Sequence, residues 1–340
     1  WWQAHYVDCL VDTGRRELGL GATPAARFDG PDRPSAGHLA SRLVTGIRLR
    51  NALTFVNNYY DDMAWLALAT LRLDRLAEET RRPGRGRNAA VRASLALQFD
   101  AACTDDLGVG TFWSKKRDFK NTPATAPVAL YYARTGNTAK AQALLDWLDA
   151  RLFDRSRGLY LDGIRTRTTG ETVLEDAVYT YNQGPVLGAL LELGGEANLA
   201  RAAVLVDAVQ RLLTVPAGGA SGVSANGSVL RCEGTGDGGL FTGILCRYLA
   251  LAAADTRLPQ ATRATAARLV TDTAEAFWSG RRPVGSNEGA RLQGRSIFSM
   301  HAAQQAAATY PPGAAVELAT QLQAWMTLEA AAAVTAADLR

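Results

Sequence analysis

The chain has 340 residues, with 37 Lys and Arg against 33 Asp and Glu, so its formal net charge is only +4. The basic residues are scattered rather than gathered into one stripe, which argues against nucleic acid as a partner. No apolar run approaches the ~20 residues that a membrane-spanning helix needs.

Apolar residues recur at spacings of three and four over most of the chain, which predicts a mainly helical protein. Period-two alternation is confined to short stretches such as residues 158–164 and 227–232. About twelve helices are predicted in chain order: residues 2–17, 39–52, 60–79, 88–102, 122–134, 138–152, 181–193, 196–213, 240–254, 259–278, 298–309 and 314–333.

The links between these helices fall into two groups. Short links, such as residues 135–137 and 194–195, are typical of antiparallel helix hairpins. Long Gly-rich links follow the fourth, sixth, eighth and tenth helices, so they emerge at one end if successive helices alternate in direction. We therefore predict an all-α fold, an (α/α)6 toroid of about six hairpins, as a single catalytic domain over residues 1–340. The long loops are expected to shape the mouth of its cavity.

Two adjacent carboxylates, Asp61 and Asp62, open the third predicted helix. An N-cap together with a first-turn Asp favoured by the helix dipole is the competing structural interpretation. The neighbouring Tyr60 and Trp65 supply apolar faces suited to a sugar ring. Adjacent carboxyls can stand about 5 Å apart, the separation that a retaining glycosidase uses, with one ionised and the pKa of its neighbour raised.

The sequence resembles glycoside hydrolase family 76, the α-1,6-mannanases and related transglycosidases. The most specific match is Asn-Tyr-Tyr-Asp-Asp-Met-Ala-Trp-Leu-Ala-Leu-Ala at residues 58–69. Other motifs are Trp-Trp-Gln-Ala at 1–4, Lys-Asn-Thr-Pro at 120–123, Tyr-Asn-Gln-Gly at 181–184, and Phe-Thr-Gly-Ile at 241–244, where Thr242 replaces the expected lysine.

This resemblance implies an (α/α)6 fold, with Asp61 as nucleophile, Asp62 as acid/base, and no metal or cofactor. It also implies that Asp162 binds substrate hydroxyls beside the scissile bond. The expected substrate is α-mannan or a manno-oligosaccharide. The remaining predicted substrate-binding residues are aromatic or amide side chains of the odd-numbered helices and of one long loop: Tyr60, Trp65, Trp113, Asn121, Tyr181, Asn182 and Phe241.

The location and assembly of the protein are expectations of the same kind. The numbering opens at Trp1 rather than at a methionine, which we interpret as a processed chain, secreted or associated with the cell envelope. We expect a monomer.

Metal and dinucleotide sites receive little support. Four widely spaced cysteines, Cys9, Cys103, Cys232 and Cys246, form no zinc motif, and one disulfide among them stays open. A Gly-x-Gly-x-x-Gly match at residues 234–239 lacks the alternating strands and helices of a parallel sheet, so we interpret it as a flexible loop.

Three alternatives stay open. A class I terpene cyclase would bind magnesium diphosphate through paired aspartates, but position 65 is Trp65 rather than an acid. A non-enzymatic helical binding protein would need neither aspartate. A transglycosidase of the same family, acting on mannose-containing wall or anchor glycans, would share the residues near the bond.

Overall fold

A computed structural model of the protein describes residues 1–19, 35–80, 85–218, 227–284 and 295–338. Within these ranges the chain is mainly helical, which confirms the prediction from periodicity. The α-helices are α1 (Trp2–Gly19), α2 (Ala36–Arg50), α3 (Tyr60–Glu79), α4 (Arg85–Ala102), α5 (Thr122–Arg134), α6 (Thr138–Arg151), α7 (Thr180–Leu193), α8 (Glu196–Leu212), α9 (Phe241–Ala254), α10 (Gln260–Ser279), α11 (Ala306–Thr309) and α12 (Leu318–Asp338).

Short strands lie in the long links between helices. They are β1 (Phe119–Asn121), β2 (Phe153–Asp154), β3 (Leu159–Tyr160), β4 (Gly163–Thr166), β5 (Thr172–Glu175), β6 (Thr214–Pro216), β7 (Ser228–Leu230), β8 (Arg282–Pro283) and β9 (Ser296–Ile297). Strand β4 pairs antiparallel with β1 and β5, while β6 pairs with β7 and β8 with β9 in the same sense.

The chain divides into two compact units, Trp1–Phe153 with Tyr160–Ala177, and Asp154–Leu159 with Val178–Arg340. The single domain over residues 1–340 stays a prediction. In the first unit α3 packs against α1, α4 and α5, and α5 packs against α6. Helix α3 carries a continuous buried run from Met63 to Thr70, so it forms the core of this unit.

In the second unit α9 is the central helix. It packs against α7, α10 and α12, and its residues from Phe241 to Cys246 are all buried. The hairpin of β6 and β7 packs beside α10 in a cluster of buried residues that comprises Ala217, Val229, Ala276, Phe277, Ala302 and Ala324. No helix among the described residues has both the length and the apolar character required to cross a membrane.

The predicted helix at residues 298–309 is wrong over most of its length, because only Ala306–Thr309 is helical. The amide of Gln321 accepts a hydrogen bond from the Phe298 N–H at 2.9 Å and donates to the Phe298 carbonyl oxygen at 2.9 Å. Gln323 donates to the carbonyl oxygen of Met300 at 3.3 Å. Side chains of α12 thus take the carbonyl oxygens of Phe298 and Met300, which a helix over residues 298–309 would have paired internally.

Candidate active site

The paired aspartates lie in the first turn of α3. The N-cap of this helix is Tyr59, whose side chain makes no capping hydrogen bond, and the Tyr60 N–H donates to the Trp113 carbonyl oxygen at 2.8 Å. Neither Asp61 nor Asp62 is therefore the N-cap, and the capping half of the structural interpretation is excluded. Both carboxylates still gain from the positive end of the helix dipole.

Asp61 is partly buried, and its two carboxyl oxygens have different environments. The indole N–H of Trp113 donates to Oδ2 at 3.0 Å, whereas Oδ1 is buried with no hydrogen-bond partner among the described residues. Burial, followed by the charge of Asp62, raises the pKa of Asp61, and the hydrogen bond from Trp113 opposes the rise. A buried carboxyl oxygen left without a partner is costly and marks a functional candidate.

Asp62 occupies a wetter environment than its neighbour. The Asn57 side-chain amide donates to Oδ2 of Asp62 at 2.7 Å, and the carboxyl side chain is 23% exposed. Two adjacent carboxyls of this kind titrate as a coupled pair. In the free protein, burial favours the proton on Asp61, and the pair as a whole keeps one proton to a higher pH than isolated carboxyls do.

Trp113 is held in place from both sides along its backbone. Its N–H donates to the Phe119 carbonyl oxygen at 2.7 Å, and its carbonyl oxygen accepts from Tyr60. The ring of Tyr59 packs against the indole with the ring centroids 4.9 Å apart. The sequence predicted Trp113 as a substrate-binding residue, but it could not show that the indole N–H reaches Asp61, 52 residues earlier in the chain.

The loop that leads to Trp113 is fixed by two buried side chains. Lys120 is fully buried, donates to the carbonyl oxygens of Thr104 and Gly108, and has its pKa lowered to about 8 by that burial. The indole N–H of Trp147 donates to the Leu107 carbonyl oxygen at 2.8 Å. These contacts anchor the loop that carries Trp113.

Three of the predicted binding residues of the first unit, Tyr60, Trp65 and Asn121, take part in core packing or helix capping. Tyr60 is 4% exposed and Trp65 is 2% exposed, and the Trp65 and His5 rings pack with their centroids 4.8 Å apart. Asn121 is buried as the N-cap of α5, and its Oδ1 accepts from the Ala124 N–H at 3.1 Å. Hydrophobic packing and capping account for these residue types as well as sugar contact does.

Asp162 lies in the link between β3 and β4. Its backbone N–H donates to the Ala177 carbonyl oxygen at 2.9 Å, and its carbonyl oxygen accepts from the Thr122 N–H at 2.8 Å. The next residue, Gly163, pairs with Asn121 so closely that a Cβ would lie 2.6 Å from the Lys120 carbonyl oxygen. Asp162 is therefore anchored beside the start of α5, and glycine is required at the position that follows it.

The predicted residues of the second unit gather at the starts of α7 and α9. Tyr181 and Phe241 stack with ring centroids 3.8 Å apart and ring planes inclined by 15°. Tyr179 packs edge-on against Phe241 at 5.6 Å, and Asn182 is fully buried. The predicted aromatic residues of this unit thus form one cluster.

Sequence reasoning missed Glu233, which caps α7 from a distant part of the chain. Its carboxylate accepts from the Thr180 N–H at 3.1 Å and the Thr180 hydroxyl at 2.7 Å. Burial raises the pKa of Glu233. Only an acidic residue after an alternating stretch hinted at this role in the sequence, because the contact spans 53 residues.

The described residues contain neither a metal-binding cluster nor a dinucleotide-binding turn. No group of three or more His, Cys, Asp or Glu side chains there could hold a metal ion, and none of the four cysteines, Cys9, Cys103, Cys232 and Cys246, forms a disulfide. Gly236–Leu240 forms a 3-10 helix, and the strand pairings described above are antiparallel. The glycine-rich segment is therefore not the phosphate-binding turn of a parallel sheet.

The sequence profile of glycosyl hydrolase family 76 matches residues 51–336. The chain therefore belongs to this family and is a glycoside hydrolase. The predicted fold class, an all-α (α/α)6 toroid, is confirmed by the solved structures that it resembles. No curated protein matched the chain.

Three solved structures illustrate the similarity. One is an inactive variant of the α-1,6-mannanase from Salegentibacter sp. HEL1_6 in complex with α-1,6-mannotriose, with 26% identity, a TM-score of 0.78, and coverage of 98% of this chain and 89% of that chain. The Lin0763 protein of Listeria innocua has 24% identity, a TM-score of 0.73, and coverage of 98% and 84%. A family 76 mannosidase from Bacteroides thetaiotaomicron VPI-5482 has 16% identity, a TM-score of 0.70, and coverage of 100% and 88%.

Proposed function

We propose that the protein is a retaining glycoside hydrolase that cleaves α-1,6-mannosidic linkages in a mannan or a mannose-containing cell-wall glycan. The observation that carries the proposal is the pair Asp61 and Asp62 in the first turn of α3, each with its own hydrogen-bond donor. The inactive variant of the similar Salegentibacter mannanase has asparagine in place of two consecutive aspartates, and it binds α-1,6-mannotriose. That similarity supports the same chemistry and substrate here.

The proposed reaction is a double displacement. In the first step a carboxylate oxygen of Asp61 attacks the anomeric carbon, the glycosidic bond breaks, and Asp62 gives its proton to the departing oxygen. In the second step Asp62 takes a proton from water, which attacks the anomeric carbon and releases Asp61. Two inversions leave the anomeric configuration unchanged.

This assignment requires that the one proton shared by the two carboxyls is on Asp62 and not on Asp61 when the reaction begins. Burial favours the proton on Asp61, whereas a nucleophilic Asp61 must be ionised while Asp62 is protonated. The Trp113 N–H donates to Asp61 and therefore stabilises its ionised form. Trp113 is thus a positioning residue that favours the reactive distribution.

Substrate binding is assigned on the family resemblance and on local geometry. In the first unit Asp162 is anchored by its backbone and is proposed to bind sugar hydroxyls. In the second unit the stacked Tyr181 and Phe241, with Asn182 next to Tyr181, are proposed to bind mannose units through aromatic faces and amide hydrogen bonds. We also propose that the protein acts outside the cell, where mannan occurs, and that it does so as a monomer.

The test is digestion of linear α-1,6-mannan with proton NMR of the first-formed products. The wild-type protein should release reducing ends in the α configuration before mutarotation. Asp61→Asn and Asp62→Asn should abolish release, whereas Asp100→Asn, which removes the charge of an exposed carboxyl on α4, should not. First-formed β products would contradict retention, and activity in both active-site variants would contradict the assignment of the pair. Products longer than a starting oligosaccharide would instead indicate transglycosylation.

A further inference from the structure

Trp278, at the end of α10 in the second unit, differs from the other tryptophans in its exposure. All seven tryptophans of the chain lie among the described residues, and the other six are buried or partly buried, whereas Trp278 is 48% exposed. The preceding residue, Phe277, faces the core and is 1% exposed. A single exposed apolar residue is common on protein surfaces, so the groups around the ring decide whether it belongs to a site.

The ring of Trp278 has a polar side chain on either side along the chain. The Arg281 guanidinium stacks on the ring, with its Cζ 3.7 Å from the ring centroid, and also donates to the Trp278 carbonyl oxygen. Exposed Glu275 precedes Trp278 by one helical turn, so the two side chains lie on the same side of α10. A hydrogen-bond donor and an acceptor thus flank the aromatic face.

Gln304 and Gln305 are brought to the same place by contact with the backbone of Gly280. The Ala306 N–H donates to the Gly280 carbonyl oxygen at 2.7 Å, and a Cβ on Gly280 would lie 3.2 Å from the Gln304 carbonyl oxygen. Both glutamines are exposed, and the Gln305 side chain makes no capping hydrogen bond to α11. We define the Trp278 surface as Glu275, Trp278, Arg281, Gln304 and Gln305.

The composition of the Trp278 surface suits a neutral sugar chain. A flat aromatic face packs against the CH groups of a pyranose ring, while guanidinium, amide and carboxylate groups exchange hydrogen bonds with its hydroxyl groups. Tryptophan and arginine are also frequent in protein interfaces, but the core of such an interface is apolar. Here one ring lies among four polar side chains, which favours a glycan over a protein partner.

The Trp278 surface lies at the same end of the second unit as the start of α9. Helices α9 and α10 pack together and are joined by the short link 255–259, so they are antiparallel. The end of β7 contacts both: the Leu230 N–H donates to the Thr273 hydroxyl on α10 at 3.0 Å, and the Thr242 hydroxyl on α9 donates to the Arg231 carbonyl oxygen at 2.6 Å. The surface is therefore placed to hold distant units of a long glycan that binds at the start of α9.

We propose that the Trp278 surface is a second carbohydrate-binding site, which holds units of polymeric mannan outside the catalytic site. The choice of mannan as its ligand rests on the function proposed above. A long chain that contacts two sites of one protein gains affinity because its second contact is intramolecular. A short oligosaccharide gains nothing, since it occupies one site at a time.

The experiment measures binding of soluble α-1,6-mannan from the retardation of the protein in native gels. The reference protein and every variant carry Asp62→Asn, so that mannan is not hydrolysed during the run. Trp278→Ala removes the ring, and Trp278→Tyr keeps an aromatic face. Leu251→Ala is the matched control, because Leu251 is another apolar residue of the second unit and is 43% exposed. Calorimetry with α-1,6-mannotriose reports binding of a short ligand.

Trp278→Ala should raise the Kd for mannan at least about fivefold, as expected for truncation of a tryptophan that anchors a ligand. Trp278→Tyr and Leu251→Ala should stay within about twofold of the reference, and mannotriose binding should be unchanged in all three variants. Equal retardation of Trp278→Ala and Leu251→Ala would overturn the proposal. A changed elution volume of Trp278→Ala in size-exclusion chromatography, with unchanged retardation, would also overturn it, because the surface would then be a protein interface.

Two further outcomes separate a folding defect and a failure of the proposed function from a failure of this proposal. If Trp278→Ala also loses mannotriose binding, the double variant Gln304→Ala/Gln305→Ala decides, and unchanged retardation of that variant would overturn the proposal. If the wild-type protein does not cleave mannan, the proposed function is refuted. Retardation of the Asp62→Asn proteins does not depend on cleavage, so it still decides whether the Trp278 surface binds mannan.

Discussion

From the hydrogen bond that Trp113 donates to Asp61 we predict how the kcat/KM of mannan cleavage depends on pH. Trp113→Phe keeps an aromatic ring on the loop but removes the N–H that lies 3.0 Å from Oδ2 of Asp61. A hydrogen bond to a charged group contributes about 1.5–3 kcal/mol. Because one pKa unit corresponds to about 1.4 kcal/mol, the loss should raise the pKa of Asp61 by about 1 to 2 units.

The direction of the pKa shift depends on which protonation state of Asp61 the hydrogen bond stabilises. The Trp113 N–H favours ionised Asp61, so without it the carboxyl keeps its proton to higher pH and the nucleophile is lost earlier as the pH falls. The acidic limb of the kcat/KM profile on α-1,6-mannan should therefore move upward by about 1 to 2 pH units.

The matched control is Trp147→Phe. It also removes an indole N–H that holds the same loop, but the bond is to the Leu107 carbonyl oxygen rather than to a carboxylate. Its acidic limb should stay in place even if its stability falls. An acidic limb that does not move in Trp113→Phe, or that moves equally in both variants, would refute the proposed electrostatic role of Trp113.

Three further predictions follow from the catalytic pair, the loop and the substrate. Asp62→Ala should fail on mannan but form a glycosyl-enzyme from an activated aryl mannoside, with azide yielding a mannosyl azide of retained configuration; rescue of Asp61→Ala instead would reverse the roles. Gly110→Ala would bring a Cβ within 2.6 Å of the Trp147 ring and should lower the free energy of unfolding in urea by about 1–3 kcal/mol. Gly46→Ala on α2 has no atom within 4 Å of its Cβ and should not destabilise, so equal effects would contradict the packing argument. Binding of α-1,6-mannotriose, measured by calorimetry, should depend little on salt, and a steep loss of affinity would indicate a charged ligand.

Local patterns in the sequence were sufficient to locate most of the helices. The start of α3 at Tyr60 and the hairpins around residues 135–137 and 194–195 follow from apolar spacing and glycine, which act over a few residues. The failure at residues 298–309 has a different cause. Gln321 and Gln323 on the next helix bond the backbone of that segment, and apolar periodicity does not record such competition.

In the candidate site, too, some features depend on neighbouring residues in the sequence and others on contacts between distant residues. Asp61 and Asp62 stand out because two like charges are adjacent, and their neighbours supply the family motif. The two tryptophans near the pair differ in burial. Trp65 faces the core and packs on His5, whereas Trp113 is partly exposed beside Asp61. Both are tryptophans near the pair, and no local pattern separates them.

The sequence by itself therefore determined the helical fold class, the family and the carboxylate pair, because these depend on residue type and short spacing. Tertiary structure alone decided that Trp113 donates to Asp61, that Glu233 caps α7, and that Trp278 is exposed in the same surface as Gln304 and Gln305. Each of these features depends on groups that are far apart in the chain. Their positions result from the packing of the whole unit rather than from any local propensity.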